Sequence, residues 1–202
     1  MIKLFKKVKP VSIKILEYPI VDRINWTNDN LVIVKSCDLF FILNQFIKEH
    51  LVLKETSNIG ISLSGGVDSM VLTSVLMHLA KSIKFKIVAA HLNYNNREET
   101  VDEEEFIREW CIKNNIELKV VNITEFKRGI TNREIYEKET KEIRFNMYKD
   151  LIKTYNLNGI FLAHHKGDEQ ENSFTNIMNG RNLLNISAME DKSIIDNVRI
   201  FR

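Results

Sequence analysis

Two adjacent glycines, flanked by hydroxyl groups and a carboxylate, are the most chemically distinctive feature of the sequence. They lie in the stretch Ser64-Gly65-Gly66-Val67-Asp68-Ser69. Glycines allow a ligand to approach the backbone closely, and the exposed amides at the N-terminus of a following helix favour an anion. An ordinary glycine-rich turn is the alternative, but the two hydroxyls and the carboxylate favour a phosphate-binding loop.

Three further polar clusters are candidates for the same ligand site: His91 to Arg97, Arg144, and His164 to Glu171. Asp168 and Glu171 are three residues apart, so a helix would place both carboxylates on one face, where they can hold Mg²⁺ or an ammonium group. A helix cap and a surface charge are the plainer interpretations of these two acids. Arg144 is either a surface charge or a planar fork that contacts phosphate or carboxylate.

Hydrophobic periodicity predicts alternating strands and helices around these clusters. Two capping boxes, Thr100-Val101-Asp102-Glu103 and Thr131-Asn132-Arg133-Glu134, each predict the start of a helix. Predicted strands cover 58–63, 85–91, 117–121, 159–164 and 198–201, and predicted helices cover 38–53, the apolar run after the glycine loop, 100–114, about 132–155 and 168–178.

This alternation predicts an α/β fold with a doubly wound, mostly parallel five-stranded sheet and helices on both faces. Ligands bind at the carboxyl ends of the strands in such sheets, which is where the polar clusters fall. Residues 36–202 are expected to form this domain. Residues 1–35 are predicted to form a small β-rich appendage, with an edge hairpin of the main sheet as the alternative.

The composition is that of an ordinary globular protein, with 202 residues, 44% of them apolar and 28% charged. The formal net charge of +2 does not by itself indicate affinity for a polyanion. Cys37 and Cys111 are far apart, so neither a zinc site nor a disulfide framework is indicated. No apolar run reaches the roughly 18 to 20 residues of a membrane helix, and the lysine-rich start has no signal core. We therefore expect a cytoplasmic protein.

The glycine stretch differs from a Walker loop because no lysine follows its glycines. It resembles instead the pyrophosphate loop, or PP-loop, of the N-type ATP pyrophosphatases. That resemblance implies ATP and Mg²⁺ as cofactors, cleavage between the α- and β-phosphates, and adenylation of a carbonyl oxygen on the substrate.

Two other segments resemble tRNA(Ile)-lysidine synthases, over about residues 38–202. The segment from His91 to Arg97 is similar to H-x-N-H-G-x-R, with Tyr94 and Asn95 as departures. The segment from Ala163 to Asn172 is similar to A-H-H-x-x-D-x-x-E-[TN], and Arg144-Phe145 stands where the family has Arg-Tyr. Gly180, Leu183 and Met189 fall near that family's R-G-x-G-L and following methionine, with Asn179, Arg181 and Asn182 as further departures.

The resemblance implies a ligase that adenylates the wobble cytidine of a minor isoleucine tRNA and attaches free L-lysine to it. A tRNA thiolase and a non-catalytic nucleotide- or RNA-binding module are the alternatives. The implied catalytic residues are Asp68, Arg144, His164, Asp168 and Glu171, with Asp68 and Asp168 as metal ligands. The implied cofactor-binding residues are Ser64, Gly65, Gly66, Val67, Asp68, Ser69, His91, Asn93 and Arg97.

Overall fold

A computed structural model of the chain describes residues 37–51, 57–164 and 191–202. The predicted appendage at 1–35 and the predicted helix at 168–178 lie outside these residues, as do Asp168 and Glu171. The proposed division into two domains therefore stays a prediction.

The described residues alternate helix and strand as the hydrophobic pattern predicted. The predicted fourth strand starts and ends earlier than expected, which leaves His164 in the connection that follows it. No helix in the described ranges is long and apolar enough to span a membrane. In chain order the elements are α1 (Asp38–His50), β1 (Asn58–Ser62), α2 (Val67–Ile83), β2 (Lys86–Asn93), α3 (Thr100–Lys113), β3 (Glu117–Asn122), α4 (Arg133–Tyr155), β4 (Leu157–Phe161), β5 (Lys192–Ile195) and β6 (Val198–Phe201).

The strands form one sheet in the order β3-β2-β1-β4-β6-β5, in which all neighbours pair in parallel except β5 and β6. The α/β class and the mostly parallel sheet are confirmed, but the predicted count of five strands was wrong. The additional strand is β5, a four-residue edge strand joined to β6 by Asp196 and Asn197. Both turn residues have left-handed φ angles, 49° and 64°, as a tight hairpin turn requires.

Side chains of each central strand alternate between two apolar layers, because successive residues of a strand point to opposite faces. Ile59 and Ile61 of β1 pack with α1, α2 and α3, whereas Val88 and Ala90 of β2 pack against α4. Gly60 points to the α4 side, and a Cβ atom there would lie 2.3 Å from Cδ1 of Ile160. The absence of a side chain at this position therefore lets β1 and β4 pack closely under α4.

Both predicted helix starts are correct, but neither capping box forms. Helix α4 is capped by Asn132, whose Oδ1 accepts hydrogen bonds from the amides of Glu134 and Ile135. The Thr131 hydroxyl instead accepts from the Lys127 amide. At α3 the Thr100 hydroxyl donates to the carbonyl of Arg97, one turn back, so it closes the preceding turn and leaves the helix amides uncapped by a side chain.

The end of β6 is fixed by a cluster of aromatic rings, which provides a test of the packing. The Phe201 ring lies 4.8 Å from that of Phe161 and 5.6 Å from that of Phe46, and Phe201 is 1% exposed. We expect Phe201→Ala to lower the free energy of unfolding by about 3–5 kcal/mol, measured by urea denaturation. Ile194→Ala, on the same hairpin but 73% exposed, should cost less than about 0.5 kcal/mol. Equal losses would contradict the packing described here.

Candidate active site

Strand β1 lies where the winding of the sheet changes direction, since β2 and β3 extend it on one side and β4 and β6 on the other. A crevice opens outside the carboxyl ends of the strands at such a point. A cavity of about 220 Å³ lies there, lined by residues that follow β1, β2 and β4 and by residues of α4. Its lining includes Ser64, Gly66, Asp68 and Ser69 from the glycine loop, Tyr94 after β2, Arg144 and Tyr148 from α4, and His164 after β4.

The glycine loop is held in shape by its own hydroxyl groups. The Ser69 hydroxyl donates to the Gly66 carbonyl at 2.9 Å and lies 3.0 Å from the Ser64 hydroxyl, which accepts from the Gly66 amide at 3.3 Å. Ser69 is 3% exposed, whereas Ser64 and Asp68 are exposed. Ser69 therefore fixes the loop from inside, and Ser64 and Asp68 form its accessible surface.

The start of α2 has the properties of an anion site. Its N-cap residue is Gly66, and no side chain caps the helix, in contrast to Asn132 at α4. The positive end of the helix dipole and the first amides of α2 therefore face the cavity. Gly65 has a φ of 86°, in the left-handed region that glycine adopts without strain.

Helix α4 supplies the opposite wall of the cavity through Arg144 and Tyr148, which are one turn apart. The buried Tyr148 hydroxyl donates to the Ser62 hydroxyl at 2.8 Å, so α4 is tied to the last residue of β1. Burial raises the pKa of Tyr148, although the Ser62 hydrogen bond and the nearby Arg144 charge oppose this shift. Tyr148 is therefore neutral at physiological pH. Its bond to Ser62 holds the turn of α4 that follows Arg144 against the end of β1.

The three predicted cofactor-binding residues His91, Asn93 and Arg97, the first two in β2 and the third after it, do not line this cavity. His91 is buried, and its Nδ1 lies 2.8 Å from the carbonyl of Leu63, directly before the glycine loop. Asn93 donates to the Glu104 carboxylate at 2.9 Å and to the Thr100 carbonyl. Arg97 forms an ion pair with Glu103. These contacts support the backbone around the cavity, and the cofactor-binding roles of these residues stay predictions.

Glu104 holds the Asn93 side chain in place and was not predicted from the sequence. Burial opposes its ionisation and is the largest single effect. Hydrogen bonds from Asn93, Arg108 and Asn122 and the charge of Arg108 together outweigh burial, so the pKa of Glu104 is lowered. An ionised carboxylate therefore holds the Asn93 amide at neutral pH. Sequence reasoning also missed Tyr148, although its position four residues after Arg144 places it on the same helix face.

Of the two predicted magnesium ligands, Asp68 is the one that the structure describes. Among residues 37–51, 57–164 and 191–202, no three His, Cys, Asp or Glu side chains lie close enough together to hold a metal ion. Mg²⁺ needs no such cage, since it is commonly held by one or two carboxylates together with phosphate oxygens of the substrate. Asp68 at the glycine loop fits that arrangement, and Asp168, the second predicted ligand, lies outside the described residues.

The sequence of residues 40–202 matches a protein-family model described as the PP-loop domain. The chain belongs to the PP-loop family. The resemblance of the glycine loop to the pyrophosphate loop is therefore confirmed at the level of the family.

Several curated relatives are tRNA(Ile)-lysidine synthases, in agreement with the resemblance seen in the sequence motifs. The chain is 27% identical to the tRNA(Ile)-lysidine synthase of Streptococcus mutans over 78% of this chain and 36% of the relative. It is 36% identical to that of Mycoplasmopsis pulmonis over 54% of this chain and 34% of the relative. For the enzyme of Petrotoga mobilis the identity is 28%, over 72% and 47%. The chain thus spans between about a third and a half of the length of these relatives.

Among solved structures, the U34-tRNA thiolase NcsA from Methanococcus maripaludis with its [4Fe-4S] cluster aligns with a TM-score of 0.56. The alignment covers 70% of this chain and 50% of the thiolase at 20% sequence identity. At that identity the likeness establishes a shared fold. It does not indicate a shared substrate.

The left-handed backbone at Gly65 makes the phosphate loop testable. A Cβ atom at Gly65 would lie 3.0 Å from Cδ1 of Ile107. An alanine held at the φ angle of 86° would also cost about 1–2 kcal/mol of backbone strain. We expect Gly65→Ala to weaken ATP binding roughly tenfold in isothermal titration calorimetry. Gly129→Ala is the matched control, because Gly129 has a φ of 84° with no atom within 4 Å of its Cβ position. Unchanged affinity in Gly65→Ala would contradict a phosphate-binding role for the loop.

Proposed function

We propose that this chain carries out ATP-dependent modification of tRNA, in which the wobble cytidine of a minor isoleucine tRNA is adenylated and then receives lysine. One observation carries the proposal. A single cavity at the carboxyl edge of the sheet is lined by the glycine loop, which resembles the pyrophosphate loop, and by Arg144 and His164, which belong to segments that resemble lysidine synthases. Substrate identity in this proposal rests on the likeness to those relatives.

The glycine loop acts first by holding the β- and γ-phosphates of ATP. The first amides of α2 and the accessible Ser64 hydroxyl donate to phosphate oxygens, and Gly66 leaves room for their close approach. Asp68 and Asp168 would hold Mg²⁺ together with phosphate oxygens, and the ion would neutralise negative charge during adenylyl transfer. With the pyrophosphate end fixed at the loop, the α-phosphate faces the Arg144 wall.

The O2 atom of cytidine attacks the α-phosphate, the bond between the α- and β-phosphates breaks, and pyrophosphate leaves. The Arg144 guanidinium stabilises the negative charge that develops on the α-phosphate, because it is a fixed cation in a partly enclosed cavity. His164, which follows β4, also lines the cavity. In this proposal it bounds the position of the base.

Lysine reacts in the second step. Asp168 and Glu171 bind its ε-ammonium group, and one carboxylate accepts the proton that the amine must lose before attack. The amine nitrogen then bonds to C2 of the base, the bond from C2 to oxygen breaks, and AMP leaves. The positions of both carboxylates within the cavity are part of the proposal, since these residues lie outside the described ranges.

The thiolase alternative is disfavoured by the cysteines. This chain has two, whereas a [4Fe-4S] cluster is held by four thiolates in most proteins. Cys111 is 1% exposed, and burial raises its pKa to about 11, so almost no nucleophilic thiolate forms at neutral pH. It also lies near the C-terminal end of α3, at the edge of the sheet opposite the glycine loop.

The direct test supplies the protein with ATP, Mg²⁺, radiolabelled lysine and a transcript of minor isoleucine tRNA. We expect ATP-dependent transfer of label to the RNA and loss of that transfer when the wobble cytidine is replaced by uridine. Release of AMP and pyrophosphate without labelled RNA would exclude lysine attachment but retain adenylation.

Asp168→Asn should abolish transfer while leaving the unfolding transition unchanged.

Arg144→Gln tests the role of the α4 wall in the same assay. We expect the rate to fall roughly 100-fold, because a charge that stabilises the transition state is lost. Lys141→Gln is the matched control, since Lys141 is exposed, lies one turn earlier and is the same 5.9 Å from the Phe145 ring as Arg144, but does not line the cavity. Equal effects of the two substitutions would refute the assignment of Arg144.

A further inference from the structure

A second, larger cleft lies beside the candidate active site at the same edge of the sheet. Its volume is about 730 Å³, within the range of small-molecule sites, and it opens between the segment after β2, the segment after β3 and the first turn of α4. Tyr94 lines both this cleft and the smaller cavity, so the two spaces adjoin at that side chain. The function proposed above involves only the smaller cavity.

The cleft is formed by segments that are bonded to one another. The Asn96 side chain donates to the Tyr136 hydroxyl at 2.9 Å, and its Oδ1 accepts from the backbone amide of Arg128. Asn95, which has a left-handed φ of 47°, donates from its side chain to the carbonyl of Ile123 at 3.0 Å. These bonds join all three segments, so the cleft exists without a ligand and little ordering is needed for binding.

The side chains that line the cleft combine aromatic rings with guanidinium groups. Tyr94 and Tyr136 contribute rings, and Arg128 and Arg133 contribute cations. Arg133 forms an ion pair with Glu137 at 2.7 Å, whereas in the described part of the chain Arg128 has no carboxylate partner. The first amides of α4 are already bonded to Asn132, so an anion in the cleft would be held by the arginines.

Rings that stack on bases and arginines that bind phosphates are the combination by which proteins hold single-stranded RNA. We propose that this cleft binds the nucleotide of the RNA strand next to the one that reacts in the smaller cavity. The proposal rests on the proposed function, which places the reacting base in the smaller cavity that Tyr94 also lines. Arg128 binds the phosphate, and Tyr136 stacks on the neighbouring base.

Two binding measurements test the proposal. Fluorescence anisotropy of a labelled anticodon stem-loop gives the RNA affinity, and calorimetry gives the ATP affinity. We expect Arg128→Gln and Tyr136→Leu each to weaken RNA binding roughly five- to tenfold and to leave ATP binding unchanged. Lys153→Gln is the control for charge, because it removes one exposed cation from the far end of α4. Circular dichroism of each variant establishes that the fold is retained.

The results separate this proposal from the proposed function. If lysine transfer proceeds but Arg128→Gln binds RNA as the unsubstituted protein does, the cleft proposal is wrong and the function stands. If RNA binding falls in both variants although no lysine is transferred, the cleft proposal stands and the function is wrong. Weakened ATP binding with unchanged RNA binding would mean that the cleft holds the base of ATP, which overturns the proposal.

Discussion

The parallel pairing of β1 with β2 on one side and β4 on the other is the constraint on which the rest of the structure depends. It creates the change in winding direction that opens the crevice, and it directs the ends of β1, β2 and β4 to one edge. Close packing at Gly60 permits this arrangement, since Ile160 and Leu157 occupy the space that a side chain would fill. Every described side chain of the candidate site lies at the end of one of these strands, in the segment that follows it, or on α2 or α4.

The site is held in place by polar contacts that extend beyond the cavity. His91 holds the carbonyl of Leu63 before the glycine loop, and Tyr148 holds Ser62 at the end of β1. Ser69 then closes the loop from within. Because these bonds join β2, β1 and α4, the loop that faces a ligand does not need to reorganise when a phosphate binds. Fixed dipoles of this kind stabilise developing charge better than mobile ones.

Sequence reasoning predicted the parts of the fold that follow from long hydrophobic patterns. The buried runs at β1 and β2 and the long α4 were identified because burial imposes a clear periodicity. Strand β5 was missed because it is four residues long, at an edge, with an exposed Ile194 that weakens the pattern. Thr131 was preferred to Asn132 as a cap because both residue types cap helices, and only the backbone geometry decides between them.

Some residues of the candidate site could be predicted from the sequence, and others could not. The glycine loop and Arg144 could be identified because their residue types and spacing carry chemistry, and they line one cavity. The contacts of His91 and Asn93 with the backbone of neighbouring segments could not be foreseen, since they depend on how β2, β1 and α3 pack. Tyr94 was noted only as a departure from a motif, whereas the structure places it between the cavity and the cleft.

The central claim is that the glycine loop holds the pyrophosphate end of ATP with the α-phosphate toward α4. A crystal structure with α,β-methylene-ATP and Mg²⁺ tests it most directly. We predict that the β- and γ-phosphates lie against the first amides of α2 and that the α-phosphate lies on the side of Arg144. Phosphates bound between Arg128 and Arg133, or a γ-phosphate turned toward Arg144, would contradict it.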